Sequence, residues 1–204
     1  KMNRLDFSGA IAQIGSGSFS YTKHYDYPQD DGTGRIKIEQ LQPLSHPALM
    51  QYLSRRRIPL QIARMYLHQA HYSVHNRKYF ALAFPNDKGG YELRNAFFKT
   101  GSSPKYFTTI PGKDETRISL FEGFMDFLSC CSYYGRSPHG RTVILNSLSF
   151  LQRIEPPLGE FRTINLYLDN DPAGRDATRR LMDRFGQARD LAKELAEAFG
   201  GSEY

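Results

Sequence analysis

Over the second half of the chain, short apolar runs alternate with stretches of helical period. The order is a strand at 118–121, a helix at 123–134, a strand at 142–145, a helix at 147–153, a strand at 163–168 and a helix at 173–185. Strands separated by helices predict a parallel sheet with right-handed crossovers. Upstream the period is different. Tyr79–Phe84 and Tyr91–Phe98 alternate like strands around the turn-forming Pro85-Asn86-Asp87-Lys88-Gly89-Gly90, a hairpin signal, and Tyr106–Ile110 is a further aromatic and β-branched run. Before the hairpin, Ser45 is placed to cap a helix entered through Pro47, with Leu49, Tyr52 and Leu53 on one face. Pro59 opens a second helix through Ala63, Tyr66 and Leu67, and strand-like alternation begins after His75. The first 45 residues hold clustered turn formers (Gly15, Gly17, Pro28, Asp30, Asp31, Gly32, Gly34) and predict an extended arm with a strand near Arg35–Leu41. The pattern therefore divides the α/β chain into an arm or linker at 1–44, a small antiparallel α+β subdomain at 45–115 and a parallel-sheet domain with a C-terminal helix at 116–204. No internal repeat is present.

Composition narrows the class. In 204 residues, 40% are apolar, enough for a sizeable core, and no apolar run reaches the 18 residues of a membrane span or the stretch of a secretory signal. The two cysteines, Cys130 and Cys131, are adjacent, which disfavours a structural disulfide between them and provides too few sulfurs for a zinc cage; a reducing cytoplasm is the expected location. The net charge of +6 is unevenly spread. Residues 1–115 carry 16 Lys and Arg against 9 Asp and Glu, a net +7, whereas residues 116–204 carry 11 against 12, a net −1. A polyanionic partner is expected to meet the first half.

The candidate chemistry lies in the second half. Ile118–Phe121 runs directly into Glu122-Gly123-Phe124-Met125-Asp126, and Ile164–Leu168 into Asp169-Asn170-Asp171-Pro172-Ala173-Gly174. Ligands of open α/β sheets sit beyond the carboxyl ends of strands, where both acid clusters fall. Carboxylates gathered at one point repel unless a cation neutralises them, and hard oxygen donors suit Mg²⁺ (or Mn²⁺). Either motif alone is more often structural, an Asp at a helix start usually complementing the helix dipole; together, each after an apolar strand, they predict a metal site. Other signals are discounted. Arg55-Arg56-Arg57 reads as a solvated run between two helices, although those helices also resemble a helix-turn-helix, which would make a DNA-binding module without catalysis. His68, His71 and His75 share a face only if the helix persists that far, and Cys130 and Cys131 read as small buried apolar groups.

EGFMD (122–126), the strand TVILNS (142–147) and LYLDNDPAGRDA (166–177) resemble the Toprim signature of DnaG-type primases, topoisomerases, RecR-type recombination mediators and OLD-type nucleases. Gly89–Asn95, Ser103-Pro104-Lys105-Tyr106-Phe107 and HPALMQYLSRRRIPLQIARMYLHQAHY (46–72) are similar to the primase RNA-polymerase domain, most of all in compact Toprim primase-like proteins of bacterial mobile elements. The resemblance implies a DNA primase catalytic core, a nucleotidyltransferase of DNA replication that makes short RNA primers on single-stranded DNA from nucleoside triphosphates. Glu122, Asp169 and Asp171 would be catalytic and, with Asp126, would hold the metal. Arg94, Lys99, Lys105 and Tyr106 would meet nucleic acid or nucleotide, with Tyr91 and Phe107 as further stacking surfaces, and Asn146 and Ser147 have no assigned role. A replicative helicase or mobilisation protein is an implied partner. The expected zinc domain of a full primase is absent, which implies a fragment or a protein that leaves template recruitment to another. The passage from Arg175–Leu181 into Met182–Gly186 and the helical Ala188–Phe199 looks too short for the family's fourth strand, so a break between residues 178 and 186 is expected. The alternatives are a non-catalytic Toprim protein that binds nucleic acid and a Toprim nuclease; a topoisomerase needs a nucleophilic Tyr in another domain.

Overall fold

The computed structural model describes residues 36–198; the turn-rich arm lies largely outside the described residues, as does Phe199, the last residue of the expected C-terminal helix. Two five-stranded sheets are built in sequence. The first is antiparallel throughout, in the order β1 (Lys37–Gln42), β2 (His68–Val74), β3 (Arg77–Pro85), β4 (Tyr91–Arg94) and β5 (Lys99–Gly101). Helices α1 (Pro47–Arg55) and α2 (Leu60–Tyr66) connect β1 to β2. The second sheet has the order β10 (Ala188–Asp190), β9 (Thr163–Tyr167), β7 (Asp114–Phe121), β8 (Gly140–Ile144) and β6 (Thr108–Ile110). Its crossovers carry α3 (Phe124–Tyr134), a single turn α4 (Leu151–Ile154) flanked by 3₁₀ turns, and α5 (Pro172–Arg184); α6 (Ala192–Ala198) follows β10.

Several local expectations change. His46, not Ser45, caps α1, its ring Nδ1 accepting from the Ala48 amide at 3.2 Å, with Pro47 in the first turn where its missing N–H costs nothing. The helix entered at Pro59 ends at Tyr66, and His68 already begins β2. Because strand side chains alternate, His68 and His71 point to opposite faces, so the three histidines do not gather around an ion. The second hairpin strand stops at Arg94, where Asn95 turns the chain by accepting from the amides of Phe97 and Phe98.

The larger corrections concern the second sheet. It is not wholly parallel: β6, contributed by residues before 116, runs antiparallel to β8. The chain is continuous between residues 178 and 186, since α5 runs unbroken to Arg184 and the Phe185 amide caps it on the Leu181 carbonyl at 2.8 Å. The fourth parallel strand is also present. It is Ala188–Asp190, paired with Ile164–Leu166, in residues that read as helix. Three residues at a sheet edge, only Ala188 of them buried, carry no apolar period to detect.

Both faces of the second sheet are covered, which explains its nearly continuous apolar strands. Ile118, Leu120, Val143, Leu145, Ile164, Leu166 and Leu168 face one cluster, closed by Leu151, Ile154, Ala177 and Leu181 from α4 and α5. The alternate positions Phe121, Ile144 and Tyr167 face the other, where Phe124, Phe127, Leu128 and the buried, free Cys130 and Cys131 of α3 pack. This second cluster extends into Leu49, Tyr52, Leu53, Ala63, Leu82 and Phe84 of the first half, with Phe84 stacked on Phe124 at 5.2 Å. A shared core thus sets the antiparallel sheet against the carboxyl edge of the mixed one. The cysteines behave as small apolar side chains, burial pushing each thiol up to about 12.

Candidate active site at the carboxyl edge of the mixed sheet

Parallel pairing brings the two acid motifs to one level. Phe121 is in register with Tyr167, so Glu122 and Leu168 leave their strands side by side, and the Glu122 amide bonds the Tyr167 carbonyl at 3.2 Å. The Glu122 side chain then folds over the gap, Oε2 accepting from the Asp169 amide at 3.0 Å. Two residues on, Asp171 caps α5, its Oδ1 accepting from the Gly174 amide at 2.8 Å with Pro172 in the first turn. Gly174 is required at this turn: a Cβ there would lie 2.0 Å from the Asp169 carbonyl oxygen. Asp126 stands half-buried on the first turn of α3.

The carboxyl groups of Glu122, Asp126 and Asp169 are held above their ordinary range. For Glu122 and Asp169 burial is the main cause, and neighbouring acids add to it, Asp169 and Asp171 acting on Glu122, and Asp171 on Asp169. Asp126 is pushed up to about 7, first by burial and then by the charge of Asp169. Cations oppose these shifts: Arg56, Arg94 and Lys99 act on Asp126, Lys99 and Arg94 on Asp169, and Lys99 on Glu122. Among the described residues no three His, Cys, Asp or Glu side chains stand close enough together to hold an ion as they are placed. The donor set nevertheless fits a hard divalent cation in chemistry: oxygen ligands only, with mutual repulsion that a cation would relieve.

A pH dependence follows for the metal-free protein. A carboxyl whose folded pKa is raised contributes stability below its unfolded pKa near 4 and loses it as pH rises through 7. Asp126→Asn, neutral at every pH, is expected to melt about 5 °C above the parent at pH 8 in a chelator, the gap closing toward pH 4. Differential scanning calorimetry across that range checks it.

The cationic residues come from the antiparallel sheet. Arg94 ends β4 directly opposite Lys99, which begins β5, so both rise from one sheet edge. The Arg94 Nε donates to the buried Tyr52 hydroxyl at 3.0 Å. Tyr52→Phe, which leaves the Arg94 Nε without this acceptor, is expected to cost about 1 kcal/mol in denaturant unfolding. Arg56 follows Tyr52 by four residues at the end of α1 and so falls on the same helix face, toward Arg94 and Asp126. The arginine run that reads as solvated therefore contains one half-buried residue facing the acids; the signal was the spacing from Tyr52.

Lys105 and Tyr106 have contacts of their own. Lys105 Nζ lies 3.8 Å from an oxygen of Glu92, a buried carboxyl raised by burial and opposed by Lys105 and Lys99. Glu92 was not a sequence candidate, its strand position suggesting only alternation. Tyr106 stacks on Phe107 at 4.2 Å, whereas Tyr91 packs against the cluster of Ala70, Tyr72 and Leu93 and does not join them. Asn146 links the two regions. In the left-handed conformation (φ 62°), its amide bonds the Glu122 carbonyl at 2.9 Å and its Nδ2 donates to the Tyr106 carbonyl at 3.0 Å. Ser147 accepts from the Ser149 amide and starts the following 3₁₀ turn.

Known proteins share this arrangement of elements. Residues 119–198, the strands and helices carrying all four acids, match the family model described as Toprim-like. This segment is similar to Toprim-like domains. Upstream of it, residues 38–103 match a domain of unknown function, DUF8464. The primase fragment of the bacteriophage T7 primase-helicase protein is 18% identical with a TM-score of 0.50, over 90% of this chain and 79% of that one. A structure of the T7 lagging-strand DNA polymerase interacting with primase domains bound to an RNA/DNA hybrid and dTTP gives 16% identity and a TM-score of 0.48, over 74% and 79% of the two chains. A search of curated proteins finds no match. The likeness to the T7 primase fragment is one of fold, and it extends over both sheets of this chain. No helix among the described residues is long and apolar enough to cross a membrane.

Proposed function

We propose that this chain is the catalytic core of a DNA primase that makes short RNA primers on single-stranded DNA with Mg²⁺ or Mn²⁺. The observation that carries the reading is the pairing of Glu122 with the Asp169 amide across adjacent strand ends, with Arg94 and Lys99 of the other sheet acting on the same acids. Primer synthesis joins a 3′-hydroxyl to the α-phosphorus of a nucleoside triphosphate and releases pyrophosphate. The chemistry needs charge neutralisation and alignment more than covalent participation by the protein. Glu122, Asp169 and Asp171 would hold the divalent ion with Asp126 in support, and the ion, when bound, would activate the attacking oxygen and offset phosphate charge. Arg94 and Lys99 would bind phosphates, and Lys105, held against Glu92, would bind nucleotide or template. A cytoplasmic location and a helicase or mobilisation partner belong to the same proposal.

The test is incubation of the full chain with a single-stranded template, the four ribonucleoside triphosphates and Mg²⁺ or Mn²⁺. Short RNA products are expected from the parent and not from the Asp169→Asn/Asp171→Asn protein. Cut template would indicate the nuclease reading, and binding without any product the non-catalytic one.

A further inference from the structure

Three segments that are distant in sequence bring a cationic aromatic surface together at the β8 side of the acid site. Tyr106 and Phe107 precede β6, Phe150 and Arg153 lie on the turns after β8, and Lys88 is in the turn between β3 and β4. Tyr106 is half-buried and stacks on Phe107 at 4.2 Å with 27° between planes, and the Phe150 ring meets its edge at 5.5 Å. Two exposed cations also reach over the Tyr106 ring, Lys88 Nζ at 5.4 Å and the Arg153 guanidinium at 5.8 Å from its centre. Phe107 and Phe150 are anchored on the core beneath, so the rings are held in place before any ligand arrives. Asn146 bonds both the Glu122 and Tyr106 carbonyls, which fixes this surface relative to the acids.

A core needs no lysine and arginine above its aromatic rings. A single strand of nucleic acid needs that combination, because bases stack on rings whatever their sequence while cations hold the intervening phosphates. We infer that Tyr106, Phe107 and Phe150, flanked by Lys88 and Arg153, form a base-stacking platform that takes an unpaired nucleotide of a single-stranded oligonucleotide beside the acid site. This deepens the primase reading and rests on its single-stranded partner. The platform lies at the end of β8, on the opposite side of β7 from Asp169, so a strand bound there runs across the carboxyl edge of the sheet rather than along it.

The experiment uses the full chain with a chelator present, so that chemistry plays no part, and compares fluorescence-anisotropy titrations of a labelled twelve-nucleotide oligothymidylate and an abasic oligomer of equal length. The parent is expected to bind the oligothymidylate about tenfold more tightly. Tyr106→Leu and Phe150→Leu are expected to remove most of that gap while leaving abasic binding in place, and Arg153→Gln, an exposed change that spares the core, to narrow it. Thermal melts identify any variant that fails to fold, and Arg153→Gln then carries the test. Equal affinity of the parent for the two oligomers, or a gap that survives in every folded variant, overturns the platform. Binding of neither oligomer overturns the platform and the single-stranded partner together. A base-dependent gap in a protein that makes no primers keeps the platform and rejects only the primase reading.

Discussion

Glu122→Gln protein is expected to lose metal-dependent primer synthesis by about a thousandfold while melting no lower than the parent. The substitution separates two roles of one side chain. As a hydrogen-bond acceptor, Glu122 receives the Asp169 amide at 3.0 Å, and the amide oxygen of Gln can accept in the same place. As a charge, it would help to neutralise a divalent ion in the proposed reaction, and Gln would not. Removing a carboxylate that burial and the neighbouring Asp169 and Asp171 already hold above its usual range also relieves repulsion in the metal-free protein. Stability and activity should therefore move in different directions. Primer yield at saturating template, set beside a Mg²⁺ titration of the melting temperature, reads both. The parent is expected to gain stability with Mg²⁺ by mass action and the variant to gain less. A variant that primes like the parent would show that the Glu122 charge takes no part in the reaction.

Gly174→Ala is expected to destabilise the chain by about 3 kcal/mol and to reduce activity with it. The added methyl would stand 2.0 Å from the Asp169 carbonyl oxygen, a backbone atom that no rotamer change can move away. Either α5 withdraws from the loop or the loop shifts. In both cases the Asp171 cap on the Gly174 amide and the hold of Glu122 on the Asp169 amide are disturbed together. Asp171→Asn offers a control, since an Asn side chain still caps the helix but carries no charge. It should cost little stability and much activity, so that Gly174→Ala differs from it in urea unfolding even if both fail to prime. The Gly in DNDPAG thus serves to keep the acid loop close to its helix.

Elements with a strong local signal were legible in the chain. The run ISLF followed by an acid predicts a buried strand ending at a site because a central parallel strand, covered on both faces, has to be apolar throughout. The same reasoning located the helix of Phe124–Tyr134 and the strand of Thr163–Tyr167. Failures occurred where local pattern is weak or ambiguous. A histidine-rich segment, HQAHYSV, has neither a helical nor a strand period of apolar residues, and only its neighbours β1 and β3 decide that it is extended. Ala188–Asp190 is a strand because the edge of β9 is open to it, a property of the sheet and not of three residues. Arg56 illustrates the same limit for function, since three consecutive arginines look alike until α1 turns one of them toward Asp126.

By itself the sequence determined the kind of chemistry available: oxygen ligands after two apolar strands in a near-neutral half, and an excess of positive charge in the half before it. Residue type and spacing along one element suffice for that, because strand and helix periods are local. Tertiary structure alone decided which charges meet. Parallel register set Glu122 beside Asp169, a core shared between the two halves set Arg94, Lys99 and Arg56 over the acids, and Asn146 tied the aromatic surface of Tyr106 to the same edge. Those contacts join residues far apart in the chain, and their energies depend on distance and burial, which exist only once the chain has packed.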